Sequence, residues 1–173
     1  MPLPIVICAL DDQIGKPVSE LLQPEFEGAS RISISTSKPH TPYIAVFITS
    51  SNSATPVIHF IQSLKAAQSE IPHILAGRDP QSPPNNIGTK NYTHQARAII
   101  FGRGFDLEDI QDIREKVGAS PDPVVWIAGD PSRKPAPGAV LPPNYPQLVA
   151  GVARRLLGQW LEDGGVGDEV VLY

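Results

Sequence analysis

Pro4-Ile-Val-Ile-Cys-Ala-Leu-Asp-Asp-Gln-Ile-Gly-Lys-Pro-Val18 is the stretch that decides the fold. Ile5 to Ala9 is a continuous apolar run of strand length, which reads as a strand buried on both faces. Gly15-Lys16-Pro17 then opens a helix over about 16–23 that carries Val18, Leu21 and Leu22 and is stopped by Pro24. A buried strand leading at once into a helix is the first half of a βαβ unit. The turn between them has the layout of a dinucleotide-binding fingerprint, whose glycines let the backbone approach a pyrophosphate at the helix N-terminus. The three glycine positions are here Ala9, Asp12 and Gly15, so only the last is kept. Asp11 and Asp12 place negative charge where a phosphate would sit.

Outward from this unit the pattern repeats. Apolar runs at 57–61, 96–101 and 124–128 read as further strands. Helical segments fall at 63–76, with Pro72 expected to kink or split it, and at 106–117, capped by Asp106. The last helix runs over about 146–162, with Val149, Val152, Ala153, Leu156, Leu157 and Trp160 on one face. The tail 168–173 has the composition of a short edge strand. Alternating strands and helices predict a single α/β domain over 1–173. It is a small Rossmann-like three-layer sandwich of about four parallel strands in the order 2-1-3-4. Its crevice then lies outside the carboxyl ends of strands one and three, where Asp11, Gly102, Arg103 and Asp130 converge.

Residues 28–56 interrupt this order. The segment is rich in Ser, Thr and Pro and contains no Asp or Glu. Without it, the first helix joins the second strand through a short connection of the kind α/β units use. Three readings are open: a lid or hairpin over the crevice with 31–35 and 43–48 as strands, an inert insertion, and a short intron translated in frame. Back-translation is compatible with the last, placing a donor at Gly28-Ala29 and an acceptor at Pro56-Val57.

Composition excludes several function classes. The 173 residues carry 14 Lys and Arg against 18 Asp and Glu, a formal charge of −4, with no concentrated basic face. Nucleic-acid binding needs such a face. No apolar run is long enough to span a membrane and no signal peptide is recognised, which gives a cytoplasmic expectation. The single cysteine, Cys8, lies in the most apolar strand and reads as a buried, inert thiol. The four histidines have no metal-ligand spacing, so no metal site is expected. His59 reads as a satisfied histidine within its strand.

The candidate cofactor residues are Ala9, Asp12 and Gly15 in the turn and Lys65 beyond the second strand. Lysine there would tolerate a 2′-phosphate, so NADP is the possible cofactor. The Asp11-Asp12 pair also occupies the place where response-regulator receiver domains hold magnesium. Strand three, however, ends Phe101-Gly102-Arg103, without a phosphoacceptor aspartate. Arg103 is instead expected to pair with Asp11 or Asp12 across the crevice. The loop Ile87-Gly-Thr-Lys-Asn-Tyr92 reads as a surface loop at the amino edge of the sheet, and Arg133 and Lys134 stand where an anionic ligand could meet them.

Gln13-Ile14-Gly15, Leu22-Gln-Pro-Glu-Phe-Glu27, Val57-Ile-His-Phe-Ile61, Gly88-Thr-Lys-Asn-Tyr92, Arg133-Lys-Pro-Ala-Pro137 and the terminal Val170-Val-Leu-Tyr173 together resemble a group of small uncharacterised proteins of filamentous fungi. That group often has glycine where this chain has Ala9, and it is distantly similar to NAD(P)-binding domains. The resemblance covers the chain outside 28–56 and implies the fold, with no activity to carry over. The resulting expectation is a non-catalytic or accessory binder of a small ligand. The alternatives are an NADP-linked reductase or other modifying enzyme of fungal secondary metabolism, and an interaction module with Trp160 at a dimer seam.

Overall fold

A computed structural model describes residues 3–23, 56–82, 85, 87–134, 136 and 139–173. The candidate insertion, apart from Pro56, lies outside the described residues. Five strands, β1 (Ile5–Cys8), β2 (Val57–Ile61), β3 (Ala98–Phe101), β4 (Val125–Ala128) and β5 (Val170–Leu172), form one sheet. All pairings are parallel and the order is β2-β1-β3-β4-β5. The expected order 2-1-3-4 therefore stands, and the tail adds the outer strand. β1 to β4 are buried at every position, as continuous apolar runs in a doubly covered sheet should be.

Helices α1 (Asp12–Leu22) and α4 (Tyr145–Glu162) cover one face, and α2 (Leu64–Leu75) and α3 (Leu107–Val117) cover the other. On the first face Ile5, Ile7, Ile100 and Ile127 meet Val18, Leu22, Ala153 and Leu157. On the second, Val6, Cys8, Ile99 and Phe101 meet Ile71, Ile74, Ile110 and Ile113. This is the three-layer Rossmann-like sandwich. Trp160 belongs to the first core and is only 8 % exposed, so it packs inside the molecule and is not placed at an outer seam. The Arg97 guanidinium lies 5.5 Å from its ring centroid.

Three local expectations are corrected. α1 begins four residues earlier than Lys16, because the Asp11 carboxylate accepts a hydrogen bond from Gln13 N at 2.9 Å and caps the helix there. Pro17 thus sits inside the helix instead of opening it. Pro72 does not split α2, which runs unbroken over Leu64–Leu75. Asp106 holds the N-cap position of α3 without a side-chain cap bond; its Oδ1 lies 3.3 Å from Lys134 Nζ.

The loop of residues 87–92 lies against the amino-terminal half of β2. It runs along the open side of β2: Thr89 N and Lys90 N donate to the Val57 and Ile58 carbonyls at 3.0 Å, and the Asn85 amide donates to Phe60 O at 2.8 Å. These bonds occupy strand-edge acceptors that would otherwise invite pairing with another chain. Gly88 makes the approach possible. Its φ is +88°, and a Cβ there would lie 2.8 Å from the carbonyl carbon and oxygen of Ile58. Backbone cannot yield as a side chain does, so Gly88→Ala is expected to destabilise by about 2–3 kcal/mol. Denaturant titration measures this, and an unchanged midpoint would show that the loop does not hold the edge.

Candidate functional site

β1 and β3 lie side by side in register, yet their chains leave toward opposite faces of the sheet, into α1 and α3. That divergence opens a crevice at their carboxyl ends, the usual ligand position in such sheets. A cavity of about 260 Å³ occupies it. Its floor is apolar, from Ile7, Ile100 and Val149, and its walls include Ile14, Val18 and Leu141.

Of the residues expected here, Ala9, Asp11, Gly15, Gly102 and Arg103 line the cavity, while Asp12, Asp130 and Lys65 are absent from its walls. Asp12 is exposed in the first turn of α1. Asp130 caps a short 3₁₀ turn at Pro131–Arg133, accepting from Ser132 N at 2.9 Å and Ser132 Oγ at 2.7 Å, which holds its carboxyl below the usual range. Lys65 stands in the first turn of α2, beyond the end of β2. Among the described residues no three His, Cys, Asp or Glu side chains gather as a metal site would require.

Gly15 packs α1 onto the sheet. A Cβ at this position would meet Phe60 Cε2 and Cζ at 2.5 Å and the Ala9 methyl at 2.7 Å. This is the helix-to-strand packing role of the last glycine in a dinucleotide fingerprint. The other end of the turn differs: the Asp11 carboxylate accepts from the Gln13 amide at the helix N-terminus, where a phosphate would be bound.

Arg103 does not pair with either aspartate; no ion pair joins it to Asp11 or Asp12. Its guanidinium lies instead 5.6 Å from the ring centroids of both Tyr145 and Tyr173. The side chain can lie across the end of β4 because residue 129 is glycine; a Cβ there would come within 2.3 Å of Arg103 Cγ. Sequence reading missed the two tyrosines. One opens α4 and the other follows β5, and only the parallel addition of β5 beside β4 brings the tail to the carboxyl edge. Burial first, and then Tyr145, push the Tyr173 phenol up to about 12. Burial, with Glu70 next, raises the Cys8 thiol well above its ordinary value.

A second polar cluster lies beneath the edge of β2. The pairing of β1 with β2 passes from Ile5↔Val57 to Val6↔His59, so β2 carries a bulge at Ile58. The bulge sends His59 to the α2 face, where Nε2 lies 2.6 Å from Glu70 Oε2 and Nδ1 2.6 Å from the Tyr92 hydroxyl. Both bonds suit a neutral ring protonated on Nε2, with Nε2–H donating to the carboxylate and the phenol donating to Nδ1. Burial, the largest cause, lowers the pKa of His59 despite Glu70, and it raises that of Tyr92 to about 12. His59 is thus satisfied within the fold, as expected, but by partners distant in sequence.

Among the described residues no helix is long and apolar enough to cross a membrane. No family model matches the chain, and no solved structure matches it. Over 170 residues, 97% of this chain and 84% of the relative, it is 30% identical to the protein of Aspergillus oryzae called kojic acid related protein 6. Extended likeness of this kind, at that coverage of both chains, makes the protein a member of the family of kojic acid related protein 6.

Proposed function

We propose that this protein is a non-catalytic binder of a small molecule at the crevice between β1 and β3. The observation that carries the reading is the cavity: a preformed, mostly apolar hollow of about 260 Å³ with a few polar groups at its mouth. Its volume lies just under the roughly 300–1,000 Å³ of typical small-molecule sites, which suits a small ligand. The titratable groups around it favour binding over proton transfer. Cys8 and Tyr173 are held protonated at neutral pH, and the Asp11 carboxylate is engaged as a helix cap.

NADP binding, and with it a reductase, is the second reading. Gly15 supports it through its packing role. The Asp11 carboxylate on the Gln13 amide, and the absence of Lys65 from the cavity lining, weigh against it. The relative's name makes kojic acid a reasonable first probe for the crevice.

Thermal denaturation separates the two readings, because a ligand that binds only the folded state raises the midpoint by mass action. The expected result is a saturable rise with kojic acid or another small ring compound, and none with NAD(H) or NADP(H). A saturable rise with NADPH alone would replace the binder with the reductase.

We further propose that 28–56 is a translated intron absent from the mature protein. α1 ends at Leu22 and β2 starts at Val57, so 23–27 alone would join them. Transcript reads that cross the segment without a gap would overturn this.

A further inference from the structure

Most charged groups around the mouth of the crevice are hydrogen-bonded or ion-paired within the fold, whereas Arg103 has only the field of Asp130. The Asp11 carboxylate accepts from Gln13 N. Asp130 is bonded to Ser132 and lies 3.5 Å from Arg133. Lys134 Nζ lies 3.3 Å from Asp106. Arg103 has no hydrogen bond and no ion pair with any described residue, and its Nε is buried without a partner.

That guanidinium nonetheless has two aromatic neighbours. Tyr145 and Tyr173 both lie within 5.6 Å of it, and Gly129 lets its stem lie against the end of β4. Cation–π contacts of this kind restrict the side chain while leaving its N–H donors unused. Those donors form a rigid fork that matches the two oxygens of a carboxylate. An arginine immobilised in advance loses little conformational freedom when an anion arrives. Arg103 is half-buried, and its unmet Nε–H, at the rim of an apolar cavity, is best completed by an acceptor that carries negative charge.

From this accounting we infer that the ligand of the crevice is a small organic carboxylate, its acid group on Arg103 and its apolar body against Ile14, Leu141 and Val149. The inference rests on the crevice reading above and specifies its ligand class. It also assigns the anion to an arginine following β3 and not to the N-terminus of α1, where the Asp11 carboxylate caps Gln13 N and would repel an anion.

Matched acid and amide pairs test it on the full chain: benzoate against benzamide, and hexanoate against hexanamide, by thermal shift and titration calorimetry. Both acids are expected to bind saturably, their amides at least about tenfold more weakly, with acid affinity falling as salt is raised. Arg103→Gln should abolish the preference for acid. Arg103→Lys should keep part of it, since it retains charge without the fork. The unliganded melting temperature of each variant shows whether it is folded.

Equal binding of acids and amides, unaffected by Arg103→Gln, would overturn the carboxylate inference and leave the crevice as a binder of neutral molecules. Acid binding that persists unchanged in Arg103→Gln would place the anion elsewhere and overturn it too. Failure of both acids to bind would also overturn it. The crevice reading itself falls only if kojic acid and the amides fail as well.

Discussion

Gly15→Ala is expected to lower the stability of this protein by about 3 kcal/mol, although alanine is the better helix former by about 1 kcal/mol. The methyl group would lie 2.5 Å from two atoms of the Phe60 ring and 2.7 Å from the Ala9 methyl. Phe60 is fully buried, so its ring cannot swing aside without displacing its neighbours. The remaining response is for α1 to lift from β1 and β2, which strains the packed layer it shares with α4. For a chain of this size the melting temperature should fall by about 9 °C. Phe60→Leu removes the two ring atoms that clash. The double variant should therefore lose at least about 1 kcal/mol less than the sum of the single losses. Strict additivity would show that Gly15 is not holding the helix to the sheet.

The second large effect is at His59. His59→Ala is expected to cost about 3–4 kcal/mol, because it opens a cavity under the edge of β2 and takes from Glu70 a donor only 2.6 Å away. Tyr92 loses its acceptor at the same time, which loosens the loop that covers β2. The pH dependence gives a sharper test. Burial lowers the folded-state pKa of His59 below its ordinary value of 6.5, so the unfolded chain binds the proton more readily than the folded one. The stabilisation is complete above about pH 6.5 and declines as pH falls from there toward the depressed folded value. Melting temperature should therefore rise between pH 5 and 7, and His59→Gln should flatten that part of the profile. A wild-type midpoint that instead climbs as pH falls below 6.5 would mean that Glu70 holds the ring as imidazolium.

Much of the fold was legible because it depends on signals local in the chain. Strands buried on both faces must be continuously apolar, and Ile5–Cys8 and Val57–Ile61 are. Right-handed crossovers then leave few orders for strands that alternate with helices, and the expected 2-1-3-4 with an added tail strand follows. Boundaries were less legible where two signals competed. Asp11 overrode Gly15-Lys16-Pro17 as the start of α1, because a carboxylate that satisfies a free helix amide stabilises the earlier start. Topology pointed to the carboxyl ends of β1 and β3, and a cavity lined by Ala9, Asp11, Gly15, Gly102 and Arg103 lies there.

By itself, then, the sequence determined the layer architecture, the strand order and the edge of the sheet at which a cavity forms, since these follow from hydrophobic periodicity and chain handedness. Only the tertiary structure decided which side chains meet. One extra residue in β2 turns His59 toward Glu70, and the parallel return of the tail sets Tyr173 beside Arg103. Both depend on a register of one residue between distant segments, and a side chain that shifts by one position in a strand faces the opposite side of the sheet.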